Sequence, residues 1–185
     1  GFAIHPSDIP SASDVPLPEG VVEEDINFGE EWVLPGTLTR PAEAEGKLPA
    51  VVLVHGSGPN DRDETFGEVK PFRDLAYALA EAGIVVLRYD KRTYAYGKEL
   101  AAAGTESLTV WEETVEDAIL AGQRLKDLDY VDPDRIFLVG HSLGAMLAPR
   151  IQAQGGGYAG LVMMAGSPRQ LWEIQEDQNR ALLTE

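Results

Sequence analysis

Hydrophobic and polar positions along the chain fall into two alternating rhythms. Leu48 to Val54 is a nearly unbroken apolar run, the signature of a strand covered on both faces in a parallel sheet. Phe72 to Ala82 then carries apolar residues at 72, 75, 76 and 79; with Pro71 in its first turn and Gly83 after its end, this spacing predicts a helix. Ile84 to Tyr89 reads as a second buried strand. Thr109 to Leu128 predicts the clearest helix: Thr109 and Glu112 form a capping-box pair, and Trp111, Val115, Ala118, Ile119, Leu125 and Leu128 share one face. Arg135 to Val139 predicts a strand, Ser142 to about Gln154 a helix ended by Gly155-Gly156-Gly157, Leu161 to Met164 a further strand, and Leu171 to Leu183 one more helix. Upstream, Val21 to Phe28 and Glu31 to Leu38 read as a hairpin around Gly29-Glu30. Pro41 to Lys47 reads as a polar loop. Strands alternating with helices predict an α/β fold with a mostly parallel sheet and flanking helices.

That alternation divides the chain into residues 1–20, 21–167 and 168–185. The first stretch holds Pro6, Pro10, Pro16 and Pro18 with few apolar anchors, and reads equally as an extended arm, a linker or a frayed terminus. The middle is the predicted core, and 168–185 the start of a helical lid. A length of 185 residues suits one core. Of the residues, 44% are apolar and 25% charged, ordinary for a globular protein. The net charge of −16, from 31 acids and 15 bases, repels phosphate backbones and anionic lipid, so neither nucleic acid nor a membrane surface is an expected partner. No apolar run reaches the roughly 18–20 residues of a membrane-spanning helix. The compartment stays open: cytoplasmic, or exported with a signal already removed. The absence of cysteine excludes disulfides and thiol catalysis.

Chemistry concentrates in two glycine-rich turns. Gly140-His141-Ser142-Leu143-Gly144 matches G-x-S-x-G directly after a predicted strand and directly before a predicted helix. In that setting the turn is sharp, Gly140 and Gly144 must be small, and the Ser142 hydroxyl is lifted above the sheet as a nucleophile. The Leu143 N–H, at the helix start, becomes a donor for a developing oxyanion. His55-Gly56-Ser57-Gly58 closes the earlier buried strand and supplies the other half of the oxyanion site, with the Ser57 N–H as donor and Gly58 next. His55 is expected to pin this loop through its ring nitrogens. His141 is expected to turn away from the hydroxyl.

Other features have plainer expectations. Asp61 to Glu64 reads as a solvated, ion-paired loop, and Asp90, Lys91 and Arg92 as buttresses of neighbouring loops. Tyr94 and Tyr96 either line an acyl pocket or pack on the surface. Met163 and Met164 are expected in the core, and Pro149 is expected to kink its helix.

Four segments carry a family resemblance: Val51 to Gly58, Pro59-Asn60-Asp61-Arg62-Asp63, Leu87 to Arg92, and Val139 to Gly144. Over about residues 20–185 the sequence resembles the α/β-hydrolase superfamily, more narrowly its bacterial serine carboxylesterase and prolyl-oligopeptidase-like branch, related to dienelactone hydrolases. The resemblance implies an eight-stranded, mostly parallel sheet, a Ser–His–acid triad, no cofactor or metal, and hydrolysis of a small-molecule ester or related acyl bond. It also exposes a gap. The family order is Ser, then acid, then His, yet no histidine follows Ser142, and the last two strands are not apparent. The chain is therefore expected to be incomplete or inactive alone, its last strand covered by a further C-terminal segment or a partner chain. An acyl-peptidase or thioesterase of the same fold, and a non-catalytic binding module, remain as alternatives.

Overall fold

The computed structural model describes residues 15–103 and 108–183. Most of the predicted N-terminal arm, including His5, lies outside the described residues, as do the last two residues of the predicted lid, Thr184 and Glu185. Six strands form one sheet in the order β1-β2-β4-β3-β5-β6. Strands β1 (Val21–Phe28) and β2 (Leu34–Pro41) make the expected antiparallel hairpin. Its second strand starts at Leu34 rather than Glu31, because Gly29 takes a positive φ of 92° and residues 30–33 form the turn. It also continues through Pro41, which therefore belongs to the strand.

Strand β3 (Leu48–Val54) sits at the centre, parallel to both β4 (Val85–Tyr89) and β5 (Val131–His141), and β6 (Gly160–Met164) adds parallel to β5. The alternating pattern thus gave the right architecture. Strand β5 is longer at both ends than its apolar stretch, since Val131 pairs with Leu48 across a register shift and His141 pairs with Met164.

Helix α1 (Pro71–Glu81) buries Phe72, Ala76 and Ala80 on one face of the sheet. The short helices α2 (Arg92–Ala95) and α3 (Gly97–Ala103), which the pattern does not predict, follow β4. A single π-helical turn, Trp111–Val115, leads into α4 (Glu116–Lys126) on the opposite face. The capping pair forms as expected: the Thr109 N–H donates to Glu112 at 2.9 Å, and the Trp111 N–H donates to the Thr109 hydroxyl at 3.1 Å. Val115, Ala118 and Leu125 are buried, and so is Asp117, which the apolar pattern passes over. Helix α5 (Leu143–Ile151) opens directly after β5 and ends in a π-helical turn, Gln152–Gly156. Helix α6 spans Leu171–Leu183.

Two apolar layers fill the faces of the sheet. The larger packs Val52, Val54, Leu87, Ile136 and Leu138 against α4 and α5; the smaller packs Val51, Leu53, Val86 and Val139 against α1. Met163 is not in either: on the outer strand β6 it is 52% exposed, while Met164 is half-buried beside the smaller layer. The expectation that both are core fails because no described strand lies beyond β6. No helix among the described residues is long and apolar enough to cross a membrane.

Candidate active site

Because β3 and β5 are neighbours, the loops leaving their C-terminal ends lie side by side, where ligands bind in open α/β sheets. The second of these loops is a single residue. Ser142 links β5 to α5 with φ 50° and ψ −111°, a conformation that side-chain-bearing residues avoid and that surrounding structure must enforce. Its N–H donates to the Met164 carbonyl at 2.9 Å, tying the turn to β6.

The flanking glycines show how tight the turn is. A Cβ on Gly140 would lie 2.5 Å from the Gly144 carbonyl and 2.6 Å from the Ala145 nitrogen. One on Gly144 would press into the Val54 carbonyl and lie 2.7 Å from that of His55. Leu143 is buried by its side chain, and as the first residue of α5 its N–H has no intrahelical acceptor.

The first loop, after β3, begins with His55. Its ring is buried between Phe72 and Tyr89, with centroids 5.2 Å from each. Burial, and then the positive charge of Lys91, push its pKa down to about 3, against a partial offset from a hydrogen bond to the Asp61 backbone. Nε2 is buried without a partner, so His55 anchors the loop by packing and one polar contact rather than through both ring nitrogens. Asn60 holds the bend, its side-chain nitrogen lying 3.2 Å from the carbonyls of Gly56, Ser57 and Gly58. The buried Lys91 ammonium donates to the Gly56 carbonyl at 2.9 Å and pairs with Glu113 at 2.6 Å.

A cavity of about 260 Å³ opens between the two loops, lined by residues that include Gly56, Ser57, Asn60, Glu64, His141 and Ser142. Three larger clefts among the described residues, of about 400 to 480 Å³, contain no serine, cysteine or histidine. Of the residues singled out by sequence, Gly56, Ser57, His141 and Ser142 meet at this cavity. His55 lies behind it in the core, and Gly58 is not part of its lining. His141 Nδ1 lies 2.9 Å from Glu64 Oε2 but makes no hydrogen bond to it, nor does His141 hydrogen-bond to Ser142. No group of three or more His, Cys, Asp or Glu side chains among the described residues is arranged to hold a metal ion.

Residues 51–184 match the model of the alpha/beta hydrolase family, across well over half of the chain. The chain belongs to the alpha/beta hydrolase family. The chain is 47% identical over 165 residues to esterase EstD of Thermotoga maritima, an alignment that takes in 89% of the chain and 37% of that relative's length. Among solved structures it is similar to brefeldin A esterase, a bacterial homologue of human hormone-sensitive lipase, at 22% identity and a TM-score of 0.59 over 83% of this chain and 42% of that one. It is similar also to an acylaminoacyl peptidase, at 20% identity and a TM-score of 0.62 over 80% of this chain and 24% of that one. These structural likenesses concern the fold.

Other residues of the chain separate into buttresses and surface. Asp90 accepts from both the backbone and the guanidinium of Arg62, Lys91 supports Gly56, and Arg92 pairs with the buried Asp117, as expected of buttresses. Tyr94 is exposed, and Tyr96 donates to the Val33 carbonyl and meets Trp32 edge to face; neither reaches the Ser142 cavity. The stretch Asp61 to Glu64 departs from its expectation. Asp61, Arg62 and Asp63 are ion-paired or capped loop residues, but Glu64 is 9% exposed and turned into the site. Four consecutive charged residues give no signal that one folds inward, and a glutamate gives none that its φ will be 51°.

Proposed function

We propose that this chain carries the nucleophile and oxyanion site of a serine hydrolase acting on carboxylic esters or related acyl bonds. The observation that carries the reading is the Ser142 backbone, held at φ 50° between β5 and α5 and facing a cavity. A strained serine at a strand-to-helix turn presents its hydroxyl free of its own helix and next to unpaired amide hydrogens. In this reading Ser142 Oγ attacks the acyl carbon, and the backbone N–H groups of Leu143 and Ser57 receive the charge on the carbonyl oxygen. The Ser57 N–H suits the task because it makes no hydrogen bond among the described residues, whereas that of Gly56 is occupied by Glu64.

Neither histidine among the described residues suits the role of base. His55 is buried and held neutral, and His141 faces Glu64. The reading therefore takes its base and acid from a segment following residue 185 or from a partner chain, which also covers the open side of β6. The lid role of residues 168–185 and the ester as substrate belong to the same proposal; the likeness to a protein named esterase supports the second.

Hydrolysis of short p-nitrophenyl esters by the protein carried past residue 185 tests the reading. The Ser142→Ala variant is expected to lose at least about a thousandfold in kcat/KM. A variant as active as its parent would contradict it.

A further inference from the structure

We propose that Glu64 and Lys91 are positioning residues that clamp the Gly56 backbone from its two sides and so aim the Ser57 N–H into the Ser142 cavity. This rests on the reading of Ser142 as nucleophile.

Glu64 places its two carboxylate oxygens against the two loops that frame the cavity. Oε1 accepts from the Gly56 N–H at 2.6 Å, and Oε2 lies 2.9 Å from His141 Nδ1. Gly56 immediately precedes Ser57, and His141 immediately precedes Ser142. One side chain thus bonds the residue directly before the proposed donor and lies against the residue directly before the proposed nucleophile. The site is built closely around it: a Cβ on Gly56 would meet Glu64 Oε1 at 3.2 Å, Ser142 Cβ at 3.3 Å and His141 Nδ1 at 3.6 Å. Glu64 reaches this place only by taking a positive φ, which its neighbours must enforce. Asp61, two bonds to Thr65, and Asp63, paired with Arg88 and Lys70, hold the loop on either side of it.

Lys91 acts on the other end of the same residue. Its ammonium donates to the Gly56 carbonyl at 2.9 Å and is itself fixed by Glu113. The carbonyl of Gly56 and the N–H of Ser57 belong to one planar trans peptide and point in opposite directions. Holding the carbonyl on the Lys91 side therefore directs the Ser57 N–H the other way. Donor direction matters because an oxyanion donor is worth much only when it is aimed before the charge develops.

The test uses the protein carried past residue 185, with sites counted by irreversible labelling with a fluorophosphonate. Glu64→Ala, Glu64→Asp, which keeps charge but loses reach, and Lys91→Met are each expected to lower kcat per labelled site by about tenfold or more. KM for a small ester should move by less than about threefold, as for an interaction made in the transition state. Affinity for a phenylboronic acid, which forms a tetrahedral serine adduct, should fall in proportion to kcat. Glu64→Gln, which keeps the acceptor for Gly56, should recover most of the loss. If the alanine variant does not fold, Glu64→Asp and Lys91→Met decide the matter. Rates per labelled site within about twofold of the parent in those variants, or a glutamine variant no better than alanine, would overturn the clamp. A parent protein that takes up no probe at Ser142 would instead overturn the nucleophile reading, and the clamp with it.

Discussion

His55 and Asp117 are buried titratable residues that pull stability in opposite directions as pH changes. The folded pKa of His55 is lowered from 6.5 to about 3. Its contribution is complete above pH 6.5 and is lost as pH falls towards 3, because the unfolded chain takes up a proton that the fold refuses. Asp117 is raised from 3.8 to about 6, since its burial outweighs the attraction of Arg92. Its contribution is complete below pH 3.8 and is lost as pH rises through 6. Between about pH 4 and 6 the two offset one another. Urea unfolding of Asp117→Asn across that interval should therefore show stability falling more steeply with decreasing pH than in the parent, by about 1.4 kcal/mol per pH unit. Parallel pH profiles would contradict the assignment. Neither shift is written in the sequence. His55 is visible as the end of an apolar strand, but the rings of Phe72 and Tyr89 that enclose it come from distant elements. Glu64 was hidden for a related reason: its partners, Gly56 and His141, converge only once β3 and β5 are paired.

Between elements, the decisive contact is the approach of α5 to the ends of β3 and β5. The G-x-S-x-G spacing made this legible, because small residues two positions either side of a serine are a steric requirement. Gly144→Ala would drive a methyl group into the Val54 and His55 carbonyls, which are backbone and cannot yield. It is expected to destabilise the fold by about 4 kcal/mol or more, or to abolish folding. Gly97→Ala, in open space at the start of α3, serves as control and should leave the melting temperature nearly unchanged. A Gly144→Ala protein as stable as its parent would show that the turn is looser than described. Some boundaries were not legible. Strand β5 gains length from pairing partners at both ends, and the helix expected from Thr109 begins with a π-helical turn. Pro149 lies two residues before the end of α5, so the interior kink its position suggests becomes a helix ending and a π-helical turn.

At the scale of the whole molecule, the sheet has two unlike edges. The β1 edge is the polar half of a hairpin, with Glu23, Glu24 and Asp25 in its strand. On the other edge, β6 presents Val162 and Met163, each about half exposed. Unpaired apolar edges invite association. The 185-residue chain is therefore expected to sediment as a species larger than its 20.0 kDa mass, with Met163→Lys shifting it towards monomer. A monomer at all concentrations would contradict the proposed covering of β6. The parallel architecture was legible in the alternation of apolar runs and helical spacing. The strand order was not, although that order places the His55 loop beside Ser142 and thereby brings two separate motifs to one cavity.

The most direct test of the central claim is peptide mapping after fluorophosphonate treatment of the protein carried past residue 185 and of the 185-residue chain. The account predicts a stable adduct on the Ser142 hydroxyl in the longer form and slow labelling in the shorter one, in which neither described histidine hydrogen-bonds to Ser142. An unmodified Ser142 in the longer form, or an adduct at another residue, would contradict it.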